Sequence, residues 1–431
     1  MTDSSGANIG FFPLSYNLAE VGRAILVALE LQKLGINPVF FSHGGAYEYL
    51  EKKFGFDVIT IDPLYTSDII SNIIQVNRKE KSGIPYHVSF LREVINNEVA
   101  AFKKNDIQLL VSFVNFPCSL STKIAKIFHI DVSPGPGRFH YCIPDSYETA
   151  FTRFLPQKIK VPVFNYFFYK GGRHIRKPFN IIAKEHNLQS FHNMFDLIHG
   201  DFTVVTNFLE FINIFPHQQL FSKDAYVGII LLEELFNNIF PLHEGKKIVD
   251  EISQHLQTRR KKILLTMGSS GDKQLFLNLI HALDETQHQV VVVYGNILDD
   301  DHLPMVSERI LLKKFVPSLA KLHQLVDLSI IHGGQGTVYT AAYAGKPIIG
   351  FPMQFEQHLH LEKMVGHGVG CMLSKQSYDK HQFLSTVDNI IAKYESYEKA
   401  AKDLSVKLPA PNGEKIAAKK IHEILKRKTT N

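Results

Sequence analysis

Short apolar runs rich in β-branched and aromatic residues alternate with longer stretches of helical periodicity in the first half of the chain. Four runs have the length and composition of buried strands, namely Ile9–Phe12, Val39–Ser42, Val58–Ile61 and Leu109–Phe113. Between the first two, apolar residues recur at spacings of three and four, at Leu18, Val21, Ile25 and Leu29. This spacing predicts a helix that Gly35 closes. The strand–helix–strand order predicts a parallel sheet covered by helices.

The pattern breaks between residues 134 and 201, where Pro, Gly and aromatic residues crowd together, and resumes with Phe202–Val205 and Ala225–Val227. A second series of predicted strands then follows, namely Ile263–Met267, Val290–Tyr294, Ile310–Leu312, Leu328–Ile331 and Ile348–Phe351. We therefore predict an α/β protein with two Rossmann-like domains. Their expected limits are 1–228 and 262–410, with a linker at 229–261 and a final helix within 411–431 that can pack back on the first domain.

The composition excludes several classes of protein. The chain has 431 residues, 45% of them hydrophobic and 21% charged, as in ordinary globular proteins. Its formal charge of +5 is too small to indicate a nucleic-acid binder, and no apolar run is long enough to span a membrane. Cys118, Cys142 and Cys371 form no Cys-x-x-Cys pair, and residues 1–15 lack the basic start of a secretory signal. We therefore expect a cytoplasmic protein.

A glycine-rich turn, His332 to Thr337, follows the predicted strand Leu328–Ile331 and leads into a helical pattern. Glycines let the backbone approach a ligand closely, and the exposed N–H groups at a helix start attract phosphate oxygens. His332 lies at the carboxyl end of the strand, where open α/β sheets bind ligands, and could donate a hydrogen bond to a diphosphate. Glycine turns also serve as plain strand-to-helix connections, so the phosphate hypothesis depends on the neighbouring motifs.

The neighbouring motifs form an ordered set, namely Phe315-Val-Pro-Ser318, Gly345-Lys-Pro347, Phe351-Pro352, Glu356-Gln357 and Gly366-His-Gly-Val-Gly370. Together with the glycine turn, the stretch from Lys314 to Leu373 resembles the donor-binding region of GT-B glycosyltransferases. The resemblance is to UDP-glycosyltransferases and to related bacterial natural-product and lipid glycosyltransferases. More diffuse similarity covers nearly the full chain. It implies two parallel sheets that face each other across a cleft.

The resemblance also implies which residues bind the donor. Phe315 and Val316 would lie beside the nucleobase, with a hydrogen bond from the Val316 backbone. Around the diphosphate, the implied set is Gly268, Ser269, Ser270, His332, Gly334, Gly336 and Thr337. Glu356 and Gln357 match an acidic–Gln pair that binds sugar hydroxyls, a task for which an oriented carboxylate is suited. Thr340 replaces a Glu that binds ribose in many relatives, so UDP and TDP donors both stay open, with the UDP-sugar favoured.

These assignments have structural alternatives. Phe315 could pack within its loop, and Glu356 could be a solvated surface charge. His358 and His360 invite a metal hypothesis, but their i,i+2 spacing suits a strand better than a helix, and no acidic pair accompanies them. We expect no metal and no bound cofactor, since the nucleotide sugar is a substrate.

The general base is the point at which this sequence departs from its relatives. An inverting transfer needs a base to deprotonate the acceptor hydroxyl. The family usually carries Gly-His at the start of the first long helix, and counting back from Gly35 puts Glu20 at the His position. Glu20 could serve as the base in an apolar cleft, or it could merely complement the helix dipole. His43 and His140 are other candidates, and the acidic partner of the base is not evident after Leu109–Phe113.

The segment Thr149–Lys184 contains eight Lys and Arg, eight Phe and Tyr, and no Asp or Glu. In GT-B enzymes this part of the first domain lines the acceptor cleft, so the composition favours a hydrophobic small-molecule or lipid-like acceptor. It would also suit peripheral docking on an anionic membrane surface. Single-stranded nucleic acid would use similar residues, but no RNA-binding motif accompanies them, and we expect no nucleic-acid partner. A solvated variable region with local core aromatics explains the segment equally well.

We therefore expect a glycosyltransferase that moves a sugar from a UDP- or TDP-sugar to a hydroxyl of a hydrophobic acceptor, with inversion and without metal. The main alternative is a catalytically silent nucleotide-sugar-binding protein, a sensor or accessory subunit, because Glu20 replaces the usual His. A nucleotide-sugar epimerase is disfavoured by the His332–Thr337 and Glu356-Gln357 motifs. A dehydrogenase is disfavoured because the glycine turn lies in the second half and lacks the Gly-x-Gly-x-x-Gly spacing.

Overall fold

The computed structural model describes residues 8–77, 84–134, 172–208, 224–233, 235–236, 242–268 and 271–429, together with positions 156 and 159. These residues form two parallel α/β units, each built around its own sheet. The predicted pair of Rossmann-like units is thereby confirmed. Among the described residues, no helix combines the length and apolar character that crossing a bilayer demands.

The first unit contains a seven-stranded parallel sheet. Its strands are β1 (Asn8–Pro13), β2 (Val39–Ser42), β3 (Val58–Thr60), β4 (Ile107–Phe113), β5 (Phe128–Ser133), β6 (Phe202–Val205) and β7 (Asp224–Tyr226). They lie in the order β3-β2-β1-β4-β5-β6-β7. The helices of this unit are α1 (Leu18–Lys33), α2 (Glu48–Lys53), α3 (Ser67–Asn77), α4 (Val88–Lys104), α5 (Cys118–Ala125) and α6 (Arg173–Glu185), with a 3₁₀ turn at Met194–Leu197.

The second unit contains a six-stranded parallel sheet. Its strands are β8 (Lys262–Thr266), β9 (Gln289–Val293), β10 (Ile310–Lys313), β11 (Leu328–Ile331), β12 (Ile348–Gly350) and β13 (Gly370–Met372), in the order β10-β9-β8-β11-β12-β13. The helices are α7 (Leu242–His255), α8 (Lys273–Asp284), α9 (Leu319–Leu325), α10 (Gln335–Ala344), α11 (Phe355–Gly366), α12 (Lys380–Ala392), α13 (Tyr394–Lys407) and α14 (Gly413–Thr429), with a 3₁₀ turn at Asp300–His302.

Strand order locates the ligand site in each sheet. The order reverses between β1 and β4 in the first sheet and between β8 and β11 in the second. Helices therefore leave from opposite faces on either side of these points and open a crevice at the carboxyl ends of the strands, where α/β sheets bind ligands. The segments that follow β1, β4, β8 and β11 thus supply the residues of the site.

Local sequence explains how α1 begins and ends. The Asn17 side chain accepts a hydrogen bond from the Ala19 backbone N–H, 3.0 Å away, and so caps the helix. Gly35 follows the helix with a φ of +80°, a conformation that favours glycine. The apolar face of α1 lies in the core of the first sheet. The predicted helix is confirmed between these two residues.

Two strands escape the hydrophobic pattern. In β5, His129 and Asp131 interrupt the apolar run, yet both are buried, and His129 Nε2 and Asp131 Oδ1 are hydrogen-bonded to Ser112 Oγ. Strand β13 has only three residues, Gly370-Cys-Met372, too few to show a period. The hydrophobic pattern therefore misses β5 because the strand buries polar groups, and it misses β13 because the strand is short.

The last helix, α14, returns to the first unit. Its buried residues Ala417, Ala418, Ile421 and Leu425 join the core that α1 forms on the first sheet. Where the chain crosses back, the Gly413 N–H donates to the Ile229 carbonyl at 3.1 Å, so the two connections between the units lie side by side. A side chain at Gly413 would collide with the Gly228 and Ile229 carbonyl oxygens, 2.6 Å from a Cβ. The predicted domain limits themselves stay a prediction.

We expect Ile421→Ala to lower the free energy of unfolding by about 2–5 kcal/mol, because it leaves a cavity where α14 meets α1. Ile416→Ala on the same helix is the matched control, since 43% of Ile416 is exposed. The control should change stability by no more than about 0.5 kcal/mol. Denaturant unfolding of both variants checks this, and equal losses would contradict the packing of α14 on the first unit.

Candidate functional site

The two units meet at the first turns of α10. The Gln335 side chain donates from Nε2 to the Thr206 carbonyl at 2.6 Å, and its Oε1 accepts from Arg23 Nη1 at 3.1 Å. One turn later, the Tyr339 hydroxyl donates to Asn207 Oδ1 at 3.0 Å. The helix after the glycine turn is therefore hydrogen-bonded to α1 and to the segment after β6. This places the predicted donor turn in the cleft between the sheets.

His332 forms the floor of the glycine turn. The ring is 5% exposed and lies so close to Gly268 and Gly334 that a Cβ at either position would come within 2.8 Å of it. Burial lowers the pKa of His332 to about 4, so the ring is neutral near pH 7. Its Nδ1 is buried and has no hydrogen-bond partner among the described residues. A buried ring nitrogen without a partner at a helix N-terminus is suited to an incoming phosphate oxygen.

In the first turn of α10, Gly336 is accessible to a ligand, whereas Thr337 is buried. A Cβ at Gly336 would meet no atom within 4 Å, so the backbone there is accessible to a ligand. Thr337 is buried beside it. The Thr340 hydroxyl donates back to the carbonyls of Gly336 and Thr337, at 2.9 and 3.0 Å. Thr340, which replaces the ribose-binding Glu of many relatives, thus uses its hydroxyl in hydrogen bonds within its own helix.

The loop after β10 carries the two residues predicted beside the nucleobase. Phe315 is 37% exposed, whereas Val316 is buried in the core between α7, α9 and the sheet. Ser318 then caps α9 by accepting from the Lys321 N–H at 3.1 Å. An exposed ring next to an anchored residue leaves Phe315 available for stacking.

Glu356 and Gln357 lie in the first turn of α11 and differ in availability. Gln357 Oε1 accepts from the backbone N–H groups of Met353 and Gln354, at 2.8 and 3.2 Å, and so forms a capping box. The Glu356 side chain is 32% exposed and faces the cleft, 3.9 Å from His360 Nδ1. Burial among protein atoms raises the pKa of Glu356, and the positive charge of Arg23 opposes the rise. The carboxylate, rather than the amide oxygen, is the group presented to a ligand.

Glu20 and Arg23 form a buried ion pair in the first turns of α1. Arg23 Nη2 donates to Glu20 Oε1 at 2.5 Å, and the two residues are 6% and 5% exposed. Glu20 Oε2 is buried and has no hydrogen-bond partner among the described residues. Burial raises the pKa of Glu20, while the charge and hydrogen bond of Arg23 oppose the rise. Arg23 therefore orients the carboxyl group and leaves one oxygen for another donor.

The structure brings this predicted base and the predicted sugar carboxylate together. Glu356 contributes to the raised pKa of Glu20, and Glu20 contributes to the raised pKa of Tyr16, which precedes α1. Arg23 acts on both Glu20 and Glu356. Residues from two domains, more than 300 positions apart, thus form one electrostatic cluster.

Asp131 on β5 is a further member of this cluster that the sequence pattern does not reveal. It is fully buried, and its Oδ1 accepts from Ser112 Oγ at 2.8 Å and from the Val114 N–H at 3.2 Å. Burial raises the pKa of Asp131 to about 7, and the charge of Glu20 adds to the rise. Its available signal is an acidic residue inside the apolar run Ile130-Asp-Val132. Burial of a carboxyl group costs free energy, and buried acids with a raised pKa are typical of functional sites.

The backbone beside Asp131 is strained. Val114 has a φ of +56°, which is rare for a β-branched residue and costs about 1–3 kcal/mol. The hydrogen bond from its N–H to Asp131 holds this conformation. The sequence shows no acidic partner for the base at the end of β4. In the structure, Asp131 on the neighbouring strand β5 places a carboxyl group beside the end of β4.

His43 lies in a different environment from the cluster. Its Nδ1 lies 2.9 Å from the Ile61 carbonyl, and its Nε2 lies 3.1 Å from Glu98 Oε1. The ring is 4% exposed and stacks on Tyr65, with centroids 4.8 Å apart and planes 2° apart. Both nitrogens are occupied in the core, so this candidate base has no nitrogen directed at the cleft.

Several predicted residues lie outside the described part of the chain, namely Ser269, Ser270, His140 and Cys142. Of the basic segment 149–184, the structure describes residues 172–184 and the isolated positions 156 and 159. His358 and His360 lie on α11, a helix rather than a strand, and burial lowers the pKa of each to about 4. The described residues contain no group of three or more His, Cys, Asp or Glu side chains that could hold a metal ion.

Sequence comparison identifies the second unit. Residues 252–420 match the glycosyltransferase family 28 C-terminal domain. A Bacillus subtilis protein described as an uncharacterized UDP-glucosyltransferase, YojK, is 24% identical over 257 residues, which cover 59% of this chain and 56% of the relative. A Mycobacterium tuberculosis PGL/p-HBAD biosynthesis glycosyltransferase is 25% identical over 53% of this chain and 49% of the relative. The chain thus matches about half the length of these curated relatives.

Comparison of structures extends the likeness to both units. The calicheamicin glycosyltransferase CalG4 superposes with a TM-score of 0.65 and 14% identity, over 98% of this chain and 99% of the other. The kitacinnamycin glycosyltransferase gives a TM-score of 0.66 with 15% identity, over 97% and 98%. VinC, solved in complex with dTDP, gives 0.60 with 13% identity, over 97% and 100%. The fold of this chain is therefore the GT-B fold.

We expect Asp131→Asn to flatten the dependence of stability on pH. Because the folded pKa of about 7 exceeds the ordinary value of 3.8, the wild-type carboxyl group contributes stability at low pH that is lost as pH rises through 7. The amide cannot ionise, so the variant should be more stable than wild type at pH 9 by about 1–4 kcal/mol, with a smaller difference at pH 5. Denaturant unfolding across this range measures the difference.

Glu185→Gln is the matched control for this experiment, because Glu185 lies in an exposed ion pair with Arg92. Its unfolding curve should run parallel to that of wild type between pH 5 and 9. A wild-type protein whose stability runs parallel to that of Asp131→Asn over this range would show that Asp131 is ionised in the fold throughout.

Proposed function

We propose that this chain, a GT-B protein similar to the UDP-glycosyltransferases, is a glycosyltransferase that transfers a sugar from a nucleoside diphosphate to an acceptor hydroxyl. The observation that carries the proposal is the second oxygen of Glu20, which is buried in the cleft without a hydrogen-bond partner among the described residues. It lies in the same cluster as Glu356, on the opposite domain. A carboxylate oriented in this way requires a donor, and the hydroxyl of an acceptor supplies one.

The donor binds along the second domain in this proposal. Phe315 stacks on the base, and the N-terminus of α10 with His332 and Gly336 receives the diphosphate, whose charge the helix dipole favours. Glu356 accepts hydrogen bonds from sugar hydroxyls. The matched family 28 domain over 252–420 contains all four residues, which supports this arrangement.

The chemical step is an in-line displacement at the anomeric carbon. Glu20 Oε2 takes the proton of the acceptor hydroxyl as the acceptor oxygen forms its bond to the anomeric carbon. The bond from that carbon to the diphosphate oxygen breaks on the opposite face, and the electron pair leaves with the nucleoside diphosphate. Attack opposite the leaving group inverts the anomeric configuration. The donors at α10 stabilise the departing charge, so the step requires no metal ion.

The environment of Glu20 makes a carboxylate usable as a base. An ordinary Glu is too weak a base near neutral pH, but burial raises its pKa and brings its proton affinity closer to the working pH. Arg23 limits the rise and fixes the orientation. Glu356 also raises the pKa of this carboxyl group, and Glu20 in turn raises the pKa values of Tyr16 and Asp131. The Glu at the usual His position therefore supports catalysis rather than a silent binder.

The acceptor is proposed to be a hydrophobic small molecule or a lipid-like alcohol. The described part of the basic segment forms α6, which buries Ile175, Phe179 and Ile182 and carries basic residues on the same helix. The name of one relative refers to PGL/p-HBAD biosynthesis, and those of several solved neighbours refer to natural products. Docking on an anionic membrane through 149–184 is part of the same proposal, as is a UDP-sugar in preference to a TDP-sugar.

We expect Glu20→Gln to lower kcat by about 10²–10⁴-fold, because the amide cannot accept the hydroxyl proton. The measurement is release of nucleoside diphosphate with UDP- and TDP-sugars and a panel of hydrophobic alcohols. Glu30→Gln is the matched control on the same helix, since Glu30 pairs with Lys33 at the surface. Full activity of Glu20→Gln would exclude Glu20 as the base. A wild-type protein that binds donor but releases no diphosphate with any acceptor would instead be a silent binder.

The pH profile gives an independent test of the same carboxyl group. We expect kcat/KM to fall as pH drops through the raised pKa of Glu20, at a pH above the range of an ordinary Glu, because the protonated acid cannot act as a base. Glu356→Gln should move this fall to lower pH, since it removes a negative charge that raises the pKa of Glu20. A profile unchanged by Glu356→Gln contradicts the coupling between the two carboxyl groups.

A further inference from the structure

Arg23 extends from the first domain to the start of the helix that receives the diphosphate. Its Nη1 donates to the side chain of Gln335, which is the first residue of α10. Arg23 is 6% exposed, so its guanidinium is held in the cleft rather than in solvent. The positive charge thus lies beside the N-terminus of α10, although it comes from the domain to which the resemblance assigns the acceptor.

The guanidinium has more donors than partners. It carries five N–H bonds, of which one is directed to Glu20 and one to Gln335. Its Nε is buried and has no hydrogen-bond partner among the described residues. Burial of an unsatisfied charged donor costs free energy, and such groups are normally paired with protein, water or ligand. The missing partner is therefore an acceptor that arrives in the cleft.

The charges around Arg23 indicate what that acceptor is. Arg23 interacts electrostatically with both Glu20 and Glu356, and Glu20 also raises the pKa of Asp131. A diphosphate brought to α10 would be repelled by these carboxylates. The partial positive charge of a helix N-terminus, about half a unit, does not offset two full negative charges. A guanidinium facing the same point brings the positive charge to about one and a half units and so offsets most of it, and its planar fork matches phosphate oxygens.

We infer that Arg23 binds the diphosphate of the donor from the side of the first domain, with a phosphate oxygen as the acceptor that its buried Nε–H lacks. The inference rests on the proposed function. It gives α1 two tasks, because the residue that orients the base also contacts the leaving group. The donor would then be bound by both domains, and its diphosphate would fix the distance between Glu20 and the anomeric carbon.

A purely structural function for Arg23 makes different predictions. If the side chain only joins α1 to Gln335, its loss should lower the melting temperature without changing the affinity for nucleotides. Arg23→Gln also leaves Glu20 as an unpaired buried carboxylate, which is destabilising in its own right. The double variant Glu20→Gln/Arg23→Gln removes both charges and provides a folded comparison.

The test is calorimetric titration of the full-length protein with UDP and with TDP. We expect Arg23→Gln and the double variant to bind the tighter of the two ligands about ten- to hundredfold more weakly than wild type, as for loss of a hydrogen bond to a charged group. Glu20→Gln alone should bind as tightly as wild type or tighter, because it removes a negative charge beside the diphosphate. Arg92→Gln, which removes an arginine from the exposed pair with Glu185, is the matched control and should bind within about twofold of wild type.

Weaker binding by Arg23→Gln but not by Glu20→Gln supports the inference, since loss of one ion pair as a structural unit would affect both variants alike. Equal affinity of wild type, Arg23→Gln and the double variant would overturn it while leaving the donor site intact. A wild-type protein that binds neither UDP nor TDP would overturn the proposed function, and this inference with it.

Discussion

The chain of contacts from Glu20 through Arg23 to Gln335 is the interaction on which the cleft depends. It is buried, it joins the two domains, and it continues through Gln335 to the carbonyl of Thr206. A buried ion pair stabilises little by itself, because desolvation offsets the attraction. Its value lies in position, since it fixes the first turn of α1 against the first turn of α10. Two helix N-termini from different sheets are thereby held at one point.

Much of the fold was predictable because buried parallel strands are continuous apolar runs and helices have a different period. The strands β2, β6 and β11 begin and end at the predicted residues. β5 was not predictable in this way, because His129 and Asp131 look like polar interruptions until Ser112 is placed beside them on the next strand. A pairing between strands is a tertiary fact, and no local period reports it.

The residues of the site also differ in whether local sequence could predict their grouping. His332 and Gly336 follow one another in a single strand–turn–helix unit, so sequence alone could group them. The meeting of Glu20 with Glu356 and Asp131 depends on how two sheets pack, which the sequence does not record locally. His43 shows the converse, since a histidine after a strand looked suitable as a base until both ring nitrogens were found occupied in the core.

The side-by-side crossings at Ile229 and Gly413 restrict how the two domains can move. A single connecting segment would let one domain swivel about any axis. Two segments hydrogen-bonded to each other let the domains rotate about the line through both segments, and they oppose twisting of one domain against the other. Opening of the cleft would then separate α1 from α10 along one path, and closure would return the two helices to the same relative position. The alignment of base and leaving group in this way depends also on the backbone connections between the domains.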